Sequence, residues 1–193
     1  QRRGVDAGSS RGLAERVADL QAGRVLETAA GTGIVTTALA RRLAPAVRLV
    51  ATDLNQAMVD HAATKPELKR AELRQADALK LPFADGSFDA VLCQFGAMFF
   101  PDRVAGYREA RRVLKADGRF VFSVWDSLQH NPITRCVVDA MAARYPQNPP
   151  RFLARTPHGH HDRTVIQREL AEAGFASPVI ETVTLPSRAR SPS

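Results

Sequence analysis

Between residues 24 and 125, short apolar runs alternate with segments of helical periodicity, and this alternation restricts the fold more than any other feature of the sequence. Strand-length runs separated by helices of about ten residues are typical of a parallel, doubly wound sheet. Uninterrupted valine, leucine and phenylalanine runs fit strands that are covered on both faces. We therefore predict an α/β fold with a doubly wound, mostly parallel, Rossmann-like sheet.

The same alternating pattern predicts the position of each strand and helix. Strands are predicted at 24–28, 47–52, 71–75, 88–95, 120–125 and 178–185. Helices are predicted at 11–21, 34–43, 55–63, 104–115, 132–144 and 164–173, with Asn55 as a cap and an Ala-Asp-Gly stop after 115. We expect one domain over 1–193, with a core at 24–126, a lid or substrate-side insertion at about 127–161, a helix and strand at 162–186, and a tail at 187–193.

The first predicted strand runs into Gly31-Thr-Gly33, which directly opens a helix. Glycines at such a turn let the backbone approach a ligand, and the helix N-terminus offers free N–H groups. Thr36 stands where the dinucleotide fingerprint has its third glycine. Glu27 lies inside the strand and suits a ligand with a cationic ammonium group. A tight strand-to-helix turn without a ligand is the alternative.

Two aspartates follow the next strands. Asp53 comes 20 residues after Gly33, where an acidic side chain can accept both hydroxyls of a ribose. Asp77 ends the third strand and could accept from an exocyclic adenine amine. Alternatively, Asp53 caps the following helix and Asp77 is an exposed turn residue.

Five motifs occur in a fixed order: Leu26-Glu-Thr-Ala-Ala-Gly-Thr-Gly33, Ala51-Thr-Asp-Leu-Asn-Gln-Ala-Met58, Gln75-Ala-Asp-Ala-Leu-Lys-Leu-Pro-Phe83, Asp85-Gly-Ser-Phe-Asp-Ala-Val91 and Ala110-Arg-Arg-Val-Leu-Lys-Ala-Asp-Gly118. The set resembles class I S-adenosylmethionine-dependent methyltransferases of the ubiquinone/menaquinone-biosynthesis-like group, over residues 24–125. The resemblance implies S-adenosylmethionine as cofactor. It assigns the methionine part to Glu27, Ala29, Gly31 and Gly33, the ribose to Asp53, the adenine to Leu54, Met58, Asp77 and Ala78, and the sulfonium and substrate side to Gln94 and Phe95.

The chain departs from the family pattern in two ways. Ala29 stands where a glycine is common, and alanine is tolerable there if its φ is negative. The family sheet ends with two further strands, the last antiparallel, and only 178–185 supplies a candidate, while the segment before Arg24 is short for an N-terminal cap. We therefore expect a sheet without its last antiparallel strand. A truncated chain would have an open sheet edge and a partly unroofed pocket, in which binding or turnover could be impaired.

Charge and cysteine content restrict the classes of substrate and partner that we expect for this protein. The net charge is +7, but the basic residues are not interleaved with stacking aromatics, which argues against nucleic acid as substrate. Cys93 and Cys136 are the two cysteines, too few for a disulfide framework. With no secretion signal and no apolar stretch of membrane-spanning length, we expect a cytoplasmic protein with a small-molecule acceptor and no membrane partner, and a homo-oligomer remains open.

A sulfonium methyl group is already activated, so the protein chiefly aligns the nucleophile and excludes water, and no catalytic residue can be assigned from the sequence. If the acceptor is a phenol or hydroxyl, His130, His158, His160 and His161 are candidate bases, with solvated loop histidines as the alternative. His158-Gly-His-His161 could also be interpreted as a metal site, but no cysteine or paired carboxylate stands beside it, so no metal site is predicted. Phe99, Phe100 and Trp125 could line the acceptor pocket or belong to the core.

The preferred function is methyl transfer from S-adenosylmethionine to a small-molecule acceptor. A non-catalytic module that binds the cofactor or a partner is the first alternative, motivated by the missing strand. Methylation of nucleic acid is a further alternative. A nicotinamide-dependent oxidoreductase is disfavoured by Thr36 and by the lack of a Tyr-x-x-x-Lys-type pair.

Overall fold

Five parallel strands form one sheet in the order β3-β2-β1-β4-β5 in the computed structural model, which describes residues 10–185. The strands are β1 (Gly23–Glu27), β2 (Val47–Asp53), β3 (Glu72–Gln75), β4 (Phe88–Gln94) and β5 (Leu114–Ser123). The helices are α1 (Ser10–Glu15), α2 (Ile34–Arg42), α3 (Gln56–Ala63), α4 (Arg103–Val113), α5 (Pro132–Arg144), α6 (Phe152–Arg155) and α7 (Arg163–Glu172). The predicted doubly wound α/β architecture is confirmed.

The core lies on both faces of the two central strands. Val25 and Leu92 pack with α1 and α2 on one face, and Leu26 and Val91 pack with α4 on the other, all of them fully buried. A third cluster, which includes Tyr107, lies between α4, α7 and the end of β4. This two-sided burial explains why consecutive residues are apolar at the centre of each strand, in Val25-Leu26 and in Ala90-Val-Leu-Cys93.

The register of the sheet brings the carboxyl ends of the strands together. Glu27 pairs with Ala51 in β2, and Gln94 pairs with Ser123 in β5. Because all strands are parallel, the residues that follow them lie along one edge, which we call the carboxyl edge. Open α/β sheets generally bind their ligands there.

The segment 178–185 does not form the predicted strand. It contains no strand residues, and Val179 is 87% exposed. Ile180 packs against the third cluster, Glu181 forms an ion pair with Arg16, and the guanidinium of Arg163 donates to the Ile180 carbonyl. Among residues 10–185, β5 pairs only with β4, so the segment leaves the other edge of β5 without a strand partner. Residues 10–185 therefore contain neither the last antiparallel strand, whose absence we expect from the sequence, nor the strand predicted at 178–185.

Two other predicted boundaries are wrong. The first helix ends at Glu15 and continues as single turns, and the carbonyl of Arg16 accepts from Arg119. The Ala-Asp-Gly stop lies inside β5, where the pairing register shifts between Phe88 and Ala90. A β-carbon at Gly118 would lie 2.8 Å from Leu114 Cδ2, so glycine permits this irregularity.

Helices α5 and α7 and the Asn55 cap agree with prediction, since α5 spans Pro132–Arg144 and Asn55 Oδ1 accepts from Ala57 N at 3.0 Å. The predicted lid at 127–161 contains α5 and α6. Among residues 10–185, no helix combines the length and apolarity that crossing a bilayer requires.

Candidate functional site

The turn between β1 and α2 forms the centre of the site. Gly31 and Gly33 have φ angles of 55° and 77°, in the left-handed region that favours glycine. A β-carbon at Gly31 would meet nothing within 4 Å, so the backbone there faces open space. A β-carbon at Gly33 would lie 2.9 Å from Leu68 Cδ1, so this glycine serves close packing under α2. Gly31 thus presents open backbone at the turn while Gly33 packs against Leu68, and the cofactor-binding role of both glycines stays a prediction.

Ala29 also has a positive φ, of 52°, so the condition of a negative angle under which alanine is tolerable there is not met. The left-handed conformation costs an alanine about 1–2 kcal/mol relative to its usual regions. The surrounding turn imposes it, because Thr28 N donates to the Leu92 carbonyl and Ala30 N donates to the Thr52 carbonyl on either side. The Ala29 methyl group occupies space that a β-carbon at Gly96 would need, at a separation of 2.5 Å.

Asp53 links the glycine turn to the end of β2. Its Oδ2 accepts from Gly31 N at 2.8 Å, and its Oδ1 accepts from Asn55 N at 2.9 Å. Since Asn55 itself caps α3, the interpretation of Asp53 as the helix cap is not needed. Each carboxylate oxygen retains a lone pair, because a carboxylate offers about four acceptor sites.

Glu27 is a buried carboxyl group directly under this turn. It is 2% exposed, and its Oε2 accepts from Thr36 Oγ1 at 2.6 Å. Burial raises the pKa of Glu27 to about 8, and the nearby charge of Asp53 contributes in the same direction. Below pH 8 this carboxyl group is therefore mostly protonated and neutral, and a cation placed beside it would lower its pKa.

The residues expected to bind adenine lie on the outer side of the same edge. Leu54 is 66% exposed and Met58 is 37% exposed, which is unusual for large apolar side chains next to a core strand. The carbonyl of Leu54 accepts from Gln75 Nε2 at 2.9 Å, which fixes the loop. Asp77 is exposed and its Oδ1 accepts from Leu79 N, while Ala78 is half-buried.

Gln94 ends β4, and Phe95 follows it with a φ of 52°. This conformation is strained for a bulky residue. The ring of Phe95 stacks on Trp125 at 4.3 Å between centroids and 6° between planes. Phe99 is exposed and stacks on Phe152 at 6.4 Å, so aromatic rings from several segments surround the end of β4.

The histidines are not solvated loop residues as a group. His158 and His160 are 5% and 3% exposed. His160 Nε2 lies 3.0 Å from Tyr107 Oη, close to the ion pair of Arg103 and Glu169, and burial lowers the pKa of His160. Residues 10–185 contain no group of histidine, cysteine or acidic side chains that could hold a metal ion.

The structure thus brings the glycine turn, Glu27, Asp53 and the end of β4 to one edge of the sheet. Sequence analysis missed two residues that shape this site. Thr36 was considered only as a break in the dinucleotide fingerprint, yet its hydroxyl holds the buried Glu27. Gly96 was not considered, although its missing side chain makes room for Ala29. The role of Thr36 could have been predicted from its position in the first turn of α2, the helix that follows the strand carrying Glu27.

Comparisons with known proteins agree with this geometry. The family model described as a methyltransferase domain matches residues 26–122. A demethylmenaquinone methyltransferase of Deinococcus radiodurans is 42% identical over 120 residues, covering 61% of this chain and 49% of that protein. A demethylmenaquinone methyltransferase of Lactobacillus johnsonii is 31% identical over 173 residues, covering 83% of this chain and 70% of that protein.

The fold has solved counterparts. The crystal structure of a putative methyltransferase from Bacillus halodurans aligns with a TM-score of 0.64 and 26% sequence identity, covering 86% of this chain and 68% of that one. The chain spans about half the length of the first curated relatives it matches, at 52% and 49%.

Proposed function

We propose that this chain, which belongs to the class I S-adenosylmethionine-dependent methyltransferase family, transfers the methyl group of S-adenosylmethionine to a small-molecule acceptor. The observation that carries the proposal is the junction of the glycine turn with Asp53. There the open backbone of Gly31 is held by the carboxylate expected to bind the ribose.

The residues present fit the cofactor. The buried Glu27 suits the ammonium of the methionine part, which would replace the proton that burial keeps on the carboxyl group. Free acceptor sites on Asp53 suit the two ribose hydroxyls. The exposed side chains of Leu54 and Met58 offer apolar surface for the adenine ring, and we assign recognition of its edge to Asp77 and the Ala78 backbone.

When bound, S-adenosylmethionine supplies a methyl group on a positively charged sulfur, which needs no further activation. The chain contributes alignment and exclusion of water. Gln94 and Phe95 stand at the end of β4, and the stacked Phe95 and Trp125 rings provide an apolar wall for the acceptor. The proposed acceptor is a small molecule with an apolar or aromatic body. The demethylmenaquinone named for two relatives belongs to this class.

The first test is calorimetric titration of the purified protein with S-adenosylhomocysteine. We expect binding with a Kd of about 1–100 μM and a loss of at least about tenfold in Asp53→Ala, because a charge-assisted hydrogen bond contributes about 1.5–3 kcal/mol. Asp60→Ala is the matched control, since Asp60 is exposed on α3 and contacts only Gln56 among the hydrogen bonds described.

Circular dichroism and thermal unfolding confirm that each sample is folded. A folded parent protein that does not bind S-adenosylhomocysteine would contradict the proposal. Binding without methyl transfer to any acceptor would instead favour the non-catalytic, cofactor-binding module.

A further inference from the structure

Asp126 and His130 form a carboxylate–imidazole pair just beyond β5. His130 Nδ1 lies 3.0 Å from Asp126 Oδ2, and the backbone N–H of Ser127 donates to Asp126 Oδ1 at 2.6 Å. One oxygen of the carboxylate is therefore fixed by the backbone while the other orients the imidazole. A histidine whose Nδ1 proton is held by a carboxylate presents Nε2 as an acceptor, which is how proteins position a general base.

The pair belongs to the carboxyl edge of the sheet. Trp125, which precedes Asp126 directly, stacks on Phe95 at the end of β4. The last residue of β5, Ser123, is in register with Gln94. The imidazole of His130 is 71% exposed, so an incoming acceptor can reach it from solvent.

The turn that carries the pair is held from several directions. Asn131 Nδ2 donates to the carbonyls of Asp126 and Ser127 at 3.0 and 2.8 Å. His158 Nδ1 lies 2.6 Å from the same Asp126 carbonyl. Such support keeps an exposed side chain close to one orientation, which a catalytic group requires.

The other histidines near this edge are engaged differently. His158 is buried with Nδ1 on the Asp126 carbonyl, and His161 Nδ1 lies 2.8 Å from the His158 carbonyl. His160 is buried against Tyr107. Among residues 10–185, His130 is the one histidine that joins an orienting carboxylate to an accessible ring.

We propose that His130 is the general base of the reaction and that Asp126 is its positioning residue, so that the acceptor carries an aromatic hydroxyl. This inference rests on the proposed function. The Nε2 atom of His130 takes the hydroxyl proton, and the electron pair set free forms the new bond to the methyl carbon from the oxygen or from the conjugated ring carbon. The methyl–sulfur bond breaks with its electron pair left on sulfur, which gives S-adenosylhomocysteine.

The proton balance differs between the two sites of attack. For attack by oxygen, the proton remains on the imidazole beside Asp126 and later passes to solvent. For attack by carbon, the ring C–H proton leaves to water, and the hydroxyl regains its proton from His130. Each course releases one proton for each methyl group transferred.

The charged groups around the imidazole determine the pH dependence. Asp126 contacts it directly, and His158 reaches the same turn through the Asp126 carbonyl. Helix α5 packs against the turn and carries Arg135, Asp139 and Arg144. A single base of this kind predicts a rate that rises with pH as the imidazole loses its proton and then levels off.

The test measures single-turnover transfer of a labelled methyl group from S-adenosylmethionine to 1,4-dihydroxynaphthalene, with benzylamine as an amine probe. We expect His130→Gln to lower the rate with the hydroxylated probe about 100-fold or more and to abolish the rising limb of the pH profile. Asp126→Asn is expected to lower the rate less than His130→Gln does and to shift the rising limb of the pH profile. His61→Gln, which alters an exposed histidine on α3, is the control and is expected to match the parent.

Titration of every variant with S-adenosylhomocysteine distinguishes a failure of the proposed function from a failure of the role proposed for His130. A parent protein that does not bind it removes the proposed function and the inference together. Where binding is intact, an unchanged rate and pH profile in His130→Gln would overturn the role of the base. Transfer to benzylamine alone, or to neither probe, would overturn the assigned acceptor class.

Discussion

A Glu27→Gln variant is expected to be more stable than the parent protein at pH 9 by several kcal/mol. Burial raises the pKa of Glu27 from 4.5 to about 8, so the folded protein holds this proton more tightly than the unfolded chain does. The stabilisation is complete below about pH 4.5 and is lost as the pH rises to about 8. At about 1.4 kcal/mol for each pKa unit, the loss is of the order of 5 kcal/mol. Glutamine is neutral in both the folded and the unfolded state, so Glu27→Gln does not lose this stability as the pH rises.

Urea unfolding at pH 5 and pH 9 measures this effect. The stability of the parent should fall between the two conditions by several kcal/mol more than that of Glu27→Gln. Glu72→Gln removes an exposed carboxylate from β3 and should follow the parent curve. Parallel pH dependence in the parent and in Glu27→Gln would mean that Glu27 does not hold a proton in the folded state.

The same substitution is expected to weaken S-adenosylhomocysteine binding, because a neutral amide cannot pair with the ligand ammonium. In the parent, binding below pH 8 must release the Glu27 proton, so the affinity should fall by up to about tenfold for each unit of decreasing pH. Calorimetry in buffers with different ionisation enthalpies would detect the released proton. Proton release that persists in Glu27→Gln would assign it to another group.

A Gly96→Ala substitution is expected to destabilise the protein by about 1–3 kcal/mol. The new β-carbon would lie 2.5 Å from the Ala29 β-carbon and 2.8 Å from Cys93 Sγ, in a fully buried cluster. Gly96 has a φ of −98°, so the backbone itself accepts alanine and the cost comes from crowding. Thermal and urea unfolding of the purified variant measure it.

Ala29→Gly is the matched second variant, because it removes the methyl group that Gly96→Ala meets. It also gives glycine a left-handed position where alanine is strained. In the double variant, Gly96→Ala should cost at least about 1 kcal/mol less than in the parent. Strictly additive effects would show that the two positions do not share this space.

The central part of the fold could be predicted because each local signal agrees with the tertiary structure. The apolar runs Val25-Leu26 in β1 and Ala90-Val-Leu-Cys93 in β4 lie in the middle of the sheet, and Asn55 caps the helix that the sequence assigns to it. Glu27 and Asp53 could be located because each ends a strand of a parallel sheet, and parallel strands end at one edge.

The remaining features depend on contacts that the sequence does not display. The segment 178–185 alternates like a strand, but it contacts Arg16, Arg163 and the third cluster and does not pair with the edge strand β5. The positive φ of Ala29 arises from the two hydrogen bonds that flank it. The burial of His160 follows from Tyr107, which lies 53 residues away in the chain.

The stacking of Phe95 on Trp125 gives the protein an optical reporter of its own site. Trp125 is the single tryptophan of the chain, so the whole indole fluorescence comes from the end of β5. The strained backbone of Phe95 couples this ring to the strand end where the methyl group is expected to be transferred. We therefore expect emission intensity and wavelength to change when the proposed site is occupied, so that stopped flow could time ligand exchange without an attached dye.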